Sequence, residues 1–177
     1  MSKMMGLVLG TFLSLFLLLF WEYTVIVRTI DFDQSCYVYL ERAATSGNIN
    51  FAKASLRIAL TYIEKRGMTS GHTSILYKTS GEDVGLWYHN LSKSLSKMSV
   101  DINKMDTKTA QSWRTAMLAQ LRETILNRDG DVDHPMSISL FPHNTAFMLW
   151  GLTSLVSTAV WPTLMLISFF RRQGFYL

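Results

Sequence analysis

Asp129, Asp131 and Asp133 alternate as the leading oxygen ligands of a calcium loop do. The full pattern needs Gly at the sixth position and Glu at the twelfth. Counted from Asp129, those positions hold His134 and Leu140, so half the motif is present. The three carboxylates stand as candidate metal ligands, beside the plainer reading of a solvated acidic turn that closes a helix. A second set is the row Thr69, Ser70, His72, Thr73 and Ser74, interrupted by Gly71. Its hydroxyls and imidazole offer donors and acceptors to a small polar ligand or a lipid headgroup. Such rows also satisfy their own backbone groups, and both readings stay open.

The four histidines are His72, His89, His134 and His143, and no pair has the i, i+4 spacing of a helical zinc site. His72 and His134 fall in two irregular segments that could meet. Cys36 is the single cysteine, which excludes an intrachain disulfide and a cysteine metal site. It reads as a small buried side chain, with an intermolecular disulfide as the alternative. The sequence carries no nucleophile elbow, phosphate-binding loop or metalloprotease motif. The expectation is therefore a non-enzymatic protein with no cofactor.

The elements that position these residues are set by two apolar runs. Ala146 to Phe170 is uncharged over twenty-five residues, and Met4 to Trp21 over eighteen. A helix of that length covers the roughly 30 Å of a bilayer's hydrocarbon core. The first run ends in Trp21-Glu22-Tyr23 with no small-x-small cleavage site, so it reads as an uncleaved signal anchor over 1–27. Trp21 and Tyr23 suit the headgroup level. The second run gives a C-terminal span over 143–170 and a tail over 171–177, too short to fold into a domain. Small residues mark helix-contact candidates: Gly6 and Gly10 in the first span, Gly151, Ser154 and Thr158 in the second. They serve either packing of one span on the other or docking to another membrane protein. Pro162 is expected to kink the second span.

Between the spans the composition is that of a soluble protein. From Arg28 to Pro142 fourteen Lys/Arg face twelve Asp/Glu, a mixed surface that argues against nucleic acid. Four helices are predicted, at about 28–45, 50–66, 82–101 and 106–127. In the first, Ile30, Tyr37, Leu40 and Ala44 fall near one face, and Cys36, Tyr39 and Ala43 near another. Ala52, Leu56, Ala59, Leu60 and Ile63 form the stripe of the second. Val84, Trp87, Leu91, Leu95, Met98 and Ile102 form that of the third, and Ala110, Trp113, Met117, Leu121 and Ile125 that of the fourth. Asn48 or Asn50 caps the second helix and Gly67 ends it. Ser80 with Asp83 resembles a capping box for the third, and Asp106 or Thr107 caps the fourth. Ile75-Leu76-Tyr77 suggests that part of the 67–82 loop is tucked against the helices.

The fold class that follows is an all-α membrane protein, with two transmembrane helices flanking an extracytoplasmic up-down four-helix bundle. Four antiparallel helices would return the chain to the side where it started. The turns at 45–50 and 103–106 would then share the far tip. The 67–82 loop and the connector 128–142 would share the other end with Asp31 and Asp33. Lys3 at one end and Arg171-Arg172 at the other place both termini in the cytoplasm, with 28–142 in the periplasm of a bacterial source. The order of elements is similar to that of the ligand-sensing half of a bacterial receptor. With so short a tail, a signal would pass sideways to another membrane protein or to a second copy. The leading expectation is an accessory or structural subunit of a membrane complex. The alternative is a sensor-like module that binds a small ligand or lipid headgroup.

Overall fold

A computed structural model describes residues 2–76, 78–99 and 106–172. It is all-helical, with α1 over Ser2–Phe32, α2 over Val38–Thr45, α3 over Ile49–Lys65, α4 over Val84–Lys97, α5 over Thr107–Ile125 and α6 over Asn144–Arg172. A π-helical turn, Asp33–Tyr37, joins α1 to α2 without a break. No strand forms among the described residues, and isolated β-bridges pair His72 with Asp83 and Leu126 with Val132. Tyr77, the turn expected at 103–106 as far as residue 105, the Ile102 end of the third stripe and tail residues 173–177 lie outside the described residues.

The chain divides into two compact units. One comprises 1–27 with 145–177, the other 28–144. In the first, α1 and α6 pair antiparallel through tryptophans set over glycines. The Trp21 ring lies over Gly151, and the Trp161 ring over Gly10. Trp21 Nε1 donates to the Phe147 carbonyl at 2.6 Å, and the Phe20 and Trp150 rings meet at 5.5 Å. Ser14 and Ser154 are buried in the same seam. The Ser14 and Thr158 hydroxyls donate to the Thr11 and Ser154 carbonyls, so each is satisfied within its own helix. The large side chains Phe12, Phe16, Leu152, Leu155 and Leu166 point outward and are exposed. Both helices are long and apolar enough to cross a membrane. Pro162 lies inside α6, and the helix continues past it to Arg172.

The second unit is built around α3, whose Ala52, Leu56, Ala59, Leu60 and Ile63 are all buried. Asn48 caps it by accepting from the Asn50 N–H, and Gly67 follows its end at φ 70°. α2 packs antiparallel against one side of α3. α4 also runs antiparallel to α3, with the Tyr88 hydroxyl donating to Glu64 at 2.7 Å.

Three expectations are corrected here. The first concerns α1 and α2. Ile30 is 48% exposed while Leu40, Ala43, Ala44 and Cys36 are buried. A π turn inserts one extra residue, which advances the following helix by about 100°. Residues on either side of Asp33–Tyr37 therefore do not share the face that a continuous 3.6-residue period assigns them. The second concerns the start of the third helix. Asp83, not Ser80, is the cap of α4 and accepts from the Leu86 N–H at 3.0 Å, while Ser80–Glu82 forms a 3-10 turn before it. The third concerns the way back. Lys97, at the end of α4, reaches Gln120, late in α5, and the turn that follows α5 lies beside Thr45. The return to the Arg28 end is made by residues 132–143, not by α5. Asp133 bonds the Ile125 carbonyl, the His134 ring sits edge-on to Phe32 and Tyr37, and Ser139 reaches Thr29 at 3.3 Å. Ile138 and Leu140 are buried along this strap.

Candidate functional site

The loop 67–82 is held by backbone. Thr73 N–H donates to the Glu82 carbonyl and Val84 N–H to the Gly71 carbonyl, at 3.0 and 2.9 Å. Gly71 has φ 89°, and a Cβ there would lie 3.2 Å from the Phe141 ring, so the position needs glycine twice over. The Asn144 amide donates to the Thr73 carbonyl. These bonds put the loop at the end of the unit where α1 delivers the chain and α6 takes it away.

Of the five residues expected to bind a ligand, Thr73 is buried, Thr69, His72 and Ser74 are half-buried and Ser70 is exposed. His72 faces Asp83 at 4.0 Å. The Thr73 hydroxyl and the Asn144 side-chain oxygen are both buried, and neither has a hydrogen-bond partner among the described residues. Of the apolar triplet in this loop, Ile75 is 42% exposed and Leu76 83%, so these two are not tucked in, while Met68 at the loop's start is buried. The bridge at 71–73 fixes the loop's stem, and its tip points into solvent.

The three aspartates lie on a different stretch. Asn127 accepts from the Asp129 and Asp131 N–H groups at 2.9 and 3.0 Å, which closes the turn on itself around Gly130 at φ 91°. Asp133 contributes its carbonyl to Trp87 Nε1 at 3.0 Å. His72 and His134 have separate partners, Asp83 and the Phe32–Tyr37 pair. Among the described residues, no group of three His, Cys, Asp or Glu side chains is placed to hold a metal ion. Cys36 is fully buried inside the π turn, and burial pushes its thiol up to about 12. A thiol so placed has neither the access nor the thiolate that an intermolecular disulfide needs.

The helix-contact residues divide. Gly10, Gly151 and Ser154 lie in the α1–α6 seam, and Thr158 is half-buried, while a Cβ on Gly6 would meet open space.

A cluster that the sequence reading passed over lies around Asp31. The Tyr62 hydroxyl donates to its carboxylate at 2.7 Å, and Arg66 forms an ion pair with the same oxygen. Burial, then the hydrogen bond to Asp31 and the nearby negative charge, push the Tyr62 phenol well above its usual value, with Arg66 opposing. Arg28, Ser139 and His143 complete the polar lining of a cavity of about 80 Å³. The signal available in sequence was the position of Arg28 and His143, each just outside an apolar run. The Asp31–Arg66 link spans thirty-five residues and has no local signature. No protein-family model, curated protein or solved structure matches this chain.

Proposed function

We propose that the chain is a membrane-anchored, non-enzymatic accessory or structural subunit of a membrane protein complex. Its two apolar helices span the bilayer, both termini are cytoplasmic, and 28–142 forms an extracytoplasmic helical bundle, periplasmic in a bacterium. The support for an anchor is the division of side chains in the α1–α6 pair, with small residues and tryptophans between the helices and large apolar ones outside. The seam uses Gly10 and Gly151, so lateral contact with a partner span falls to the outward rows. The observation that carries the subunit reading is on α3. Phe51 and Ile58, two turns apart, are 70% and 47% exposed on the face away from the buried stripe. Two large apolar side chains in register on a solvent face give a partner an apolar patch to cover. The test is mild-detergent extraction at native abundance. Wild type should migrate in a larger assembly, and Phe51→Lys with Ile58→Lys should release it with helical content unchanged. Wild type migrating alone removes the reading.

A second reading, a sensor-like module for a small polar ligand or lipid headgroup, is favoured by the unpartnered Thr73 hydroxyl and Asn144 oxygen. Buried polar atoms left open in this way suit a guest that supplies both a donor and an acceptor.

A further inference from the structure

The cavity at the Arg28 end has a chemistry of its own. Two guanidiniums, Arg28 and Arg66, and the His143 imidazole line it against a single carboxylate, Asp31. Asp31 is already engaged by the Tyr62 hydroxyl and by Arg66. The lining therefore carries net positive charge, with the acidic group neutralised in place. An arginine fork has five N–H donors, so Arg66 can hold Asp31 and still serve a second anion. The Ser139 hydroxyl, also bonded to Thr29, adds a neutral polar group on the same wall. A volume of about 80 Å³ is several times the roughly 10–15 Å³ that one water needs, which leaves room for one tetrahedral oxyanion.

Chain position supplies the second argument. Arg28 lies seven residues past the apolar run that ends at Trp21, and His143 precedes the first residue of α6. Both side chains belong to the stretch of chain that meets headgroups when those helices cross a bilayer.

We infer that this cavity binds a phosphate group, carried by the headgroup of an anionic phospholipid or by free inorganic phosphate. The lipid source rests on the membrane-spanning reading above, whereas the free-phosphate arm of the test does not.

The full chain is reconstituted in phosphatidylcholine nanodiscs with or without phosphatidylglycerol, and retained lipid is counted by native mass spectrometry. Wild type should enrich phosphatidylglycerol about fivefold for each arginine engaged. Arg28→Gln with His143→Gln should cut the enrichment about fivefold or more, and Arg57→Gln, on α3 outside the cavity, should leave it intact. Millimolar phosphate that raises Tm in phosphatidylcholine discs, with the same dependence on Arg28 and His143, supports the cavity with free anion as the source. Neither probe acting on wild type, or an effect that the double substitution leaves undiminished, overturns the inference. Should the double variant lose helix, phenylglyoxal decides on wild type. Phosphatidylglycerol or phosphate must slow modification of Arg28 and Arg66 but not Arg57, and equal rates overturn the inference.

Discussion

At the scale of single residues, the seam between α1 and α6 makes a sharp distinction between glycines of the same type. A Cβ on Gly151 would come within 2.5 Å of the Trp21 ring, and one on Gly10 within 2.8 Å of Trp161, while one on Gly6 meets nothing. Gly151→Ala and Gly10→Ala should each destabilise the helix pair by about 1–3 kcal/mol, the usual cost of overpacking. Gly6→Ala should be close to neutral, and thermal melts in detergent rank the three. Trp21→Phe tests the same seam without crowding, since it removes the bond to the Phe147 carbonyl. Cys36 makes a prediction about pH. Its thiol is held up at about 12 in the fold, against about 8.5 in an open chain. The folded state thus keeps a proton that the unfolded state loses. The associated stability is complete below about pH 8.5 and declines as pH rises toward 12. Wild type should lose Tm more steeply than Cys36→Ala across that window. Thiol reagents should label Cys36 only after unfolding.

At the scale of elements, caps and ties do most of the positioning. Asp106 accepts from the Lys108 and Thr109 N–H groups at the start of α5. A hydrogen bond from the Thr109 side chain, then these backbone bonds, hold its carboxyl below the usual carboxylate range. A depressed carboxylate stabilises the fold above its unfolded pKa of about 4 and stops doing so as pH falls through the folded value. Asp106→Asn keeps an accepting cap without a titrating charge. Its melting temperature should therefore fall less than that of wild type between neutral pH and pH 3. Asn144 ties two elements together, the 67–82 loop and the start of α6. Asn144→Leu leaves the buried Thr73 carbonyl without its donor, at a cost of about 1–3 kcal/mol. Hydrogen exchange should quicken at Thr73 and Val84, whose N–H groups hold the loop's stem, and stay slow within α3. The caps were legible beforehand because a side chain and the N–H groups it serves lie two or three residues apart. Asn48 and Asp106 could be read that way. Asp83 was misassigned because Ser80 offered an equally good local pattern. Only the bridge between His72 and Asp83 turns Ser80–Glu82 aside from the helix.

At the scale of the whole molecule, everything else depends on topology. A reporter active only in the cytoplasm should give signal when fused after Leu177 and none when inserted near Asn48. The opposite pattern would place the domain on the wrong side and end the subunit reading proposed here. The same fusions carry Arg171 and Arg172 as a further check. Changing both to Glu should weaken retention of that end in the cytoplasm, because local Lys/Arg bias sets orientation.

The two apolar runs, the stripes of α3, α4 and α5 and most caps could be read from the amino-acid sequence, because each depends on residues within a turn or two of one another. Ala52, Leu56, Ala59, Leu60 and Ile63 repeat at the period of a helix, and that period needs no partner to be seen. Tertiary structure decided the rest. The π turn at Asp33–Tyr37 shifts the phase of the helix, so Ile30 faces out where simple periodicity sends it in. The return strap through His134 and Ile138 replaces the fourth antiparallel pass, because what holds it are rings and carbonyls far away in the chain. The phosphate-sized cavity exists only once Asp31 meets Arg66 and the strap closes over both. Local order follows from short-range sterics and hydrogen bonds. A site follows from which distant surfaces the chain brings together, and that is fixed by packing.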